Sequence, residues 1–487
     1  MQPSRASDNP VLPFLLLFCL SVVVRVVTAE YVDIGGDNIW RWVAALDLSD
    51  GLGLQGWTHH NMRWAIVLPL WGAVELLGGN PVVYYVLPVL AASLGTGFVY
   101  LIGRQLDGSR LGVVAALLVI AFPQMAQTGS QNWPSVYQFF YAAVSMWAIL
   151  AWHRDRRWPL LVVAAVFFFF CWGARTSGIY YLPGLLLLIW LPSRDFRAVF
   201  IFCCVLGLCV GLEWAYFWYD TGNPFGRIGI IKGATKAVAT TSWSDYIFGF
   251  TKLTKLRGLM PVFILTLLAS VLLAGDRDAR VRAMSLLHVI FMFLLLYMVS
   301  GFDPIRLAQP IGARYWCAVA PFGLMLLLLA LFRLGRSYPV AARVLTGILF
   351  AAFIAFSAKK IPAHNAIAQT ADDNAVLRPA FEARRPVLLR WEPWSPNWIE
   401  ARLYDLAGVR KERKTDKSDV LVSMERGMVR ALGLYAPTRE QLYAFDRSLL
   451  HPVDDLTYVY VPAGTSPGDA PGAEIYFDRK GARAQAL

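Results

Sequence analysis

Residues 11–29 read VLPFLLLFCLSVVVRVVTA, and residues 30–42 read EYVDIGGDNIWRW. The first stretch has the length and apolarity of a membrane-spanning helix, which needs about 20 mostly apolar residues. The second places Asp33 and Asp37 just beyond it, at the height of a membrane surface. Composition generalises the first reading. Of 487 residues, 57% are hydrophobic and only 16% charged, against about 25% charged in soluble domains, and the mean hydropathy is +0.49. These values exclude a soluble enzyme, a secreted disulfide scaffold and a disordered chain. The fold class is a polytopic α-helical membrane protein.

Further apolar runs lie at 82–102, 134–152, 198–218, 283–300 and 315–332, with shorter ones at 111–123, 159–172, 178–192, 259–274 and 340–357. With 11–29 they make eleven expected spans. A twelfth run, 64–78, is short and contains Glu75, and is expected to lie along the interface. The net charge of +12 follows the spans and carries no nucleic-acid signal. With the N-terminus inside, the inner loops hold Arg104, Arg110, Arg154, Arg156, Arg157, Arg194, Arg197, Arg277, Arg280, Arg282, Arg333 and Arg336. The short outer loops hold only Arg175, Arg306 and Arg314. That is the positive-inside pattern, and a fully spanning 64–78 would invert every later loop. Val27-Thr28-Ala29 resembles a signal-peptide cleavage site, but the long run and Arg25 favour a retained helix. The six cysteines all lie in apolar runs, without metal or redox spacing.

The chain divides into a membrane part, 1–357, whose outer loop 30–81 carries the acidic residues, and a polar C-terminal segment, 358–487. Strand-like runs at Pro386–Arg390, Val420–Ser423 and Tyr458–Val461 predict a small extracytoplasmic α+β domain, giving an N-in, C-out arrangement.

Chemistry in such a chain is expected where polar residues meet the membrane, because an ionisable group there is costly unless paired or used. Asp37 follows Gly35-Gly36 and can cap a helix running from Asn38, or act as a base, with Asp33 as the alternative. His59-His60, between Trp57 and Trp64, fits an interfacial turn, and equally a contact to phosphate or hydroxyl. Gln127 to Pro134 is a charge-free polar loop suited to a neutral polar ligand, with Gln131 and Asn132 at its centre. Arg175, Lys232, Arg314 and Tyr315 stand at the same outer level. Each cation fits a headgroup anchor, and Arg175 and Arg314 also fit a phosphate contact. Glu213, inside a span, is expected to pair or snorkel. No GxxxxGK[ST] or strand–GxGxxG–helix unit is present, so an ATP-driven pump is not expected. The polar residues gather on one side of the membrane, which favours an interfacial enzyme over a carrier.

The order of these pieces over residues 11–357 resembles the GT-C superfamily of glycosyltransferases, in its protein-mannosyltransferase and aminoarabinose-transferase-like branch. Gly36-Asp37-Asn38-Ile39-Trp40 holds the place of the family's acidic motif after the first span, with Asn38 where the family commonly has Glu. His59-His60-Asn61-Met62-Arg63-Trp64, leading to Leu76-Leu77-Gly78, is similar to its His-Pro-Pro and Leu-Phe-Gly segment, without the prolines. Gly129-Ser130, Arg175-Thr176-Ser177-Gly178, Thr221-Gly222-Asn223-Pro224-Phe225 and Ala313-Arg314-Tyr315 with Pro321 resemble its later motifs. The resemblance implies an inverting transfer of a hexosyl or pentosyl group from a polyprenyl-phosphate donor to a glycan, lipid or protein hydroxyl. Asp37 would be the base. Arg314, Arg175 and Lys232 would hold the donor phosphate, while His59, His60, Gln131, Asn132 and Tyr315 would contact substrate. It implies a bacterial inner membrane with the active site facing the periplasm. It names no metal-ligating residues, while admitting a divalent metal as cofactor. Two rivals stand beside it: a transporter or flippase of a lipid-linked sugar, and a non-catalytic membrane assembly protein.

Overall fold

The computed structural model describes residues 9–29, 37–49, 51, 53–54, 58–235, 242–247, 259–303, 305–308 and 313–358. It also describes residues 367–368, 375–376, 379, 383, 385–391, 450–453, 457–461, 473–478 and 481–485 of the C-terminal segment. Asp33 and the strand-like run 420–423 lie outside them.

The membrane part is helical. In chain order come α1 (Val11–Val27), α2 (Asp37–Ser49) and α3 (Trp64–Leu77). A 3-10 turn (Pro81–Tyr85) leads into α4 (Val86–Asp107), α5 (Ser109–Ala121), α6 (Pro123–Thr128), α7 (Pro134–Asp155) and α8 (Pro159–Ala174). A second 3-10 segment (Thr176–Tyr181) leads into α9 (Leu182–Ser193), followed by α10 (Phe196–Thr221), α11 (Gly226–Thr235), α12 (Trp243–Ile247), α13 (Met260–Leu273) and α14 (Ala279–Tyr297). A hairpin of β1 (Val299–Phe302) and β2 (Ile305–Leu307) precedes α15 (Ala313–Trp316), α16 (Ala320–Leu334) and α17 (Pro339–Ala358).

Local sequence explains many helix ends. Proline occupies the first or second position of α6, α7, α8, α9, α13 and α16, where its missing N–H costs no hydrogen bond. Asp195 caps α10, accepting from the Arg197 and Ala198 amides, and Asp278 caps α14 through the Arg280 amide. Arg156 and Arg194 end α7 and α9 in the left-handed region, at φ 55° and 54°. Each lays its guanidinium over a tryptophan of the helix it ends, Trp152 at 4.9 Å and Trp190 at 4.2 Å, a cation–π contact that offsets part of the backbone cost.

Among the described residues, six helical segments are long and apolar enough to cross a membrane: 82–107, 134–155, 176–193, 196–221, 279–297 and 339–358. Six shorter apolar helices accompany them, α1, α3, α5, α8, α13 and α16. Each of the eleven expected runs overlaps one of these twelve helices. The run 315–332 is shorter than its hydropathy suggested: Tyr315 sits in the separate single turn α15, and the long helix starts at Ala320. The run 283–300 likewise gives up its end to β1.

Helix α7 is the centre of the bundle. In its most apolar window 89% of the residues are buried, against 17% for α10 and 11% for α17, so those two present most of their surface outward. Small residues set the closest approach, between α4 and α5. A Cβ on Gly103 would meet the Gly112 Cα at 2.8 Å, so only glycine lets these backbones touch. Helix α1 packs on α4 and α5. Its Arg25 is fully buried and donates to the carbonyls of Val119 and Ile120 at 3.1 and 3.4 Å. Those carbonyls end α5, where the helix dipole is negative.

One end of the bundle is where α4, α7 and α16 begin and α8 and α10 finish. Both ends of α3 lie there. Trp64 donates to Glu213 near the close of α10, and the residues after Leu77 enter the turn that starts α4. Helix α3 therefore lies across this end, as its length and Glu75 suggest. In the C-terminal segment, β3 (Val387–Trp391), β4 (Leu450–Pro452), β5 (Thr457–Tyr460), β6 (Ala473–Asp478) and β7 (Gly481–Gln485) form one sheet in the order β4-β5-β3-β6-β7. Only β3 and β6 pair in parallel; Leu388 lies opposite Val459 and Glu474. Strands β3 and β5 match the strand-like runs at 386–390 and 458–461.

Candidate functional site

The polar loop before α7 is the floor of this end. Asn132 is fully buried and has all its polar groups engaged. Its side-chain amide donates to the Tyr84 carbonyl at 3.1 Å, and its side-chain oxygen accepts from the Tyr137 hydroxyl at 2.6 Å. Its backbone N–H reaches the Tyr84 hydroxyl at 3.4 Å, and its carbonyl accepts from Arg41 at 2.8 Å. The Tyr84 hydroxyl donates to Gln131 at 2.9 Å. Arg41, from α2, is itself fully buried, and Trp42 beside it meets Tyr84 edge to face at 6.1 Å. Buried hydrogen bonds of this kind tie elements together, and this network fixes α2 to the starts of α4 and α7. Gln131 and Asn132, expected to meet substrate, are in this structure the joint that seats α2.

Above this floor two arginines from distant parts of the chain share one aromatic ring. Arg175 follows α8 directly, in extended backbone, and its guanidinium lies 3.7 Å from the Tyr315 ring centre. Arg314 lies 4.3 Å from the Trp133 ring and 5.5 Å from Tyr315. Arg175 and Tyr315 are buried and Arg314 half-buried. Burial alone would raise the Tyr315 hydroxyl. The positive charges of Arg175 and Arg314 outweigh burial and hold it below the usual tyrosine range. The two guanidinium groups concentrate positive charge around one ring at this end of the bundle.

The turn that carries Arg175 is braced from behind. Gln138 of α7 donates to the Arg175 carbonyl at 3.3 Å and to the Ser177 hydroxyl at 3.2 Å. A Cβ on Gly178 would meet the Cys171 carbonyl at 2.7 Å, so the turn folds tightly onto α8 only with glycine there. Behind it, Arg227 of α11 donates to Glu213 of α10 at 2.6 Å, with both side chains about 5% exposed. Arg227 also donates to the carbonyls of Trp172 and Gly173 at 2.6 and 3.1 Å. The Glu213 carboxylate accepts both indole N–H groups nearby, Trp64 at 2.8 Å and Trp172 at 2.9 Å. Burial pulls the Arg227 guanidinium below its ordinary value, against Glu213, which pulls the other way. Glu213 thus pairs, as a carboxylate inside a span must.

The structure brings Arg175, Arg314 and Tyr315 together and sets Gln131 and Asn132 beneath them. His59 and His60 lie with ring centres 3.7 Å apart and planes tilted by 43° in the turn before α3, which Thr58 and Asn61 lock by bonding each other's backbone and side chain. Asp37 opens α2, one turn before Arg41; its side chain and that of Lys232 in α11 lie outside the described residues. Sequence reading missed Arg41 and Arg227. Arg227 had a signal: a buried Glu213 requires a cation, and Arg227 is the first one beyond the Thr221–Phe225 turn. Arg41 gave none. Among the described residues no group of three or more His, Cys, Asp or Glu could hold a metal ion.

The comparisons with known proteins bear on this geometry. Residues 65–216 match the family model described as dolichyl-phosphate-mannose-protein mannosyltransferase. ArnT from Cupriavidus metallidurans, solved bound to undecaprenyl phosphate, matches over 90% of this chain and 78% of its own, at 14% identity and a TM-score of 0.50. Over that length the chain shares the fold of ArnT, itself a GT-C glycosyltransferase. The archaeal oligosaccharyltransferase AglB from Archaeoglobus fulgidus, solved with an inhibitory peptide and a dolichol-phosphate, matches at 15% identity and a TM-score of 0.48, over 84% of this chain. The chain spans 61% of that protein's length. No curated protein matches the sequence. The family-matched segment contains Gln131, Arg175 and Glu213, while Asp37, Arg227, Arg314 and Tyr315 lie outside it.

Proposed function

We propose that the protein is an inverting glycosyltransferase that moves a hexosyl or pentosyl group from a polyprenyl-phosphate donor to the hydroxyl of a glycan, lipid or protein. The observation that carries this reading is the convergence of Arg175 and Arg314 on Tyr315 at an end of the bundle crossed by the interfacial helix α3. A guanidinium fork suits phosphate oxygens, and a phosphate leaving group needs positive charge rather than a proton. ArnT, with the same fold, was solved with a lipid phosphate.

In the proposed step the acceptor oxygen attacks the anomeric carbon from the face opposite the phosphate. The bond from that carbon to the phosphate oxygen breaks, and the phosphate leaves with the electron pair, held by Arg175 and Arg314, with Lys232 behind. The acceptor proton passes to Asp37 as general base, with Asp33 as the alternative. The chemistry as written uses no metal. We read eleven spans with the arginine-rich end inside, which puts the site on the outer, periplasmic face of a bacterial inner membrane, with the sheet of the C-terminal segment on the same side.

The test is release of polyprenyl phosphate, followed by mass spectrometry, from purified protein incubated with lipid extract of its source cells. Wild type is expected to release it and Asp37→Asn to lose at least 100-fold, the usual lower range for a general base. Equal release by both removes Asp37 from the mechanism. No release by either, with donor and acceptors present, removes the transferase reading.

A further inference from the structure

At the far end of the bundle, away from Arg175, lies a cavity of about 590 Å³ between α5, α16 and α17. That size is in the range of ligand sites. Its origin is the path of α17. Near its finish α17 is pinned to the bundle: Phe353 meets Phe122 at 5.4 Å, and the Ser357 hydroxyl donates to the Ala121 carbonyl at 2.8 Å. At its start Ala342 touches Gly335 at the close of α16. Between these contacts α17 stands away from the bundle, and a Cβ added at Gly347 meets no atom within 4 Å.

The walls divide by chemistry. The deep part is apolar, formed by Val114, Leu331, Phe332 and Phe350. The mouth carries Arg110, Arg336 and Arg343, all exposed, with Asp107. Asp107 is engaged by Arg336 at 3.4 Å and Arg333 at 3.9 Å, and Arg333 also reaches Asp276 at 3.6 Å. No carboxylate partner of Arg110 or Arg343 is found among the described residues; Arg110 lies over the Phe332 ring at 5.5 Å. The four arginines exceed the two aspartates by two positive charges. Helices α5 and α17 begin here while α4 and α16 end here, so their dipoles offset one another and the excess rests on the arginines.

We propose that this cavity is a binding site for an anionic glycerophospholipid. Its phosphate seats between Arg110 and Arg343, and the upper part of an acyl chain fills the apolar wedge between α5, α16 and α17. Cationic pockets between helices at a membrane face take anionic headgroups in this way. The apolar depth is what distinguishes a lipid from a free phosphate. The site is separate from the Arg175 end and holds whether or not the transferase reading does.

The test is native mass spectrometry of the full chain in detergent, titrated with phosphatidylglycerol or phosphatidylcholine, with sn-glycerol 3-phosphate as soluble competitor. Phosphatidylglycerol is expected to bind at least tenfold more tightly than phosphatidylcholine and to resist the competitor. Arg110→Gln/Arg343→Gln is expected to weaken it roughly thirtyfold, from two headgroup charges. Thr346→Phe, which fills the wedge and keeps every charge, is expected to weaken it as well while the protein stays monodisperse. Equal retention of the two lipids overturns the proposal, as does displacement by glycerol phosphate. So does wild-type affinity in Thr346→Phe, even where the arginine variant binds poorly, because the arginines would then hold lipid outside the cavity.

Discussion

Tyr315 gives the site a titratable reporter. Its ring lies under Arg175 and near Arg314, and their charges hold its hydroxyl below the ordinary tyrosine range despite burial. A lowered folded value means that the native state releases this proton before the unfolded chain does. The resulting stabilisation is fully present above about pH 10, the unfolded value, and is lost as pH falls through the folded value. The absorbance at 295 nm of wild type minus Tyr315→Phe is therefore expected to rise below pH 10. Adding polyprenyl phosphate should move that rise upward, because the anion competes for the same guanidinium charge. A difference spectrum that rises only above pH 10 contradicts the account of this cluster. At this scale the sequence singled out Arg175, Arg314 and Tyr315, which the fold gathers at one end of the bundle. It did not show that Gln131 and Asn132 turn inward to bind Tyr84. A charge-free polar loop has the same composition whether it meets a ligand or ties helices together.

Between elements, the Glu213–Arg227 pair joins α10 and α11 to Trp64 at the start of α3 and Trp172 near the end of α8. Removing one partner of a buried ion pair leaves the other charge uncompensated, at about 3–5 kcal/mol. Arg227→Met is expected to destabilise the protein in detergent by that order, read as a lower melting temperature. Glu213→Gln keeps one acceptor for the indoles and should cost less. Thermal melts by intrinsic fluorescence check both, and an Arg227→Met protein as stable as wild type would show that the brace carries no load. The long helices were legible because their apolar runs mark them, as at 134–152 and 198–218. The separation of α15 from α16 was not, since Tyr315, Trp316 and Cys317 carry no charge and adjoin the Leu-rich span without a polar break. The hairpin at Val299–Leu307 was hidden for the same reason, at the end of a long apolar run.

For the whole molecule, the path of α3 decides the topology. Both its ends meet the Arg175 end of the bundle, so it does not reverse the direction of later helices. A membrane-impermeant thiol reagent applied to sealed cells is expected to label Thr58→Cys and Gly79→Cys above the parent background, and not Ser337→Cys. Labelling of only one of the first two would make α3 a span. Loop arginines led to the same expectation for 64–78 from sequence, because charge asymmetry accumulates over many loops and survives errors in any one. The relation of α2 to the site was not readable, since it rests on one buried contact, Arg41 to Asn132. The central claim is a division of labour: Arg175 and Arg314 hold a lipid phosphate, and Asp37 serves the transfer alone. The most direct measurement follows polyprenyl-phosphate binding and sugar transfer in the same preparations of wild type, Asp37→Asn and Arg175→Gln/Arg314→Gln. The account predicts wild-type binding without transfer in Asp37→Asn, and loss of both in the arginine variant. Transfer by Asp37→Asn at the wild-type rate, or undiminished binding in the arginine variant, would contradict it.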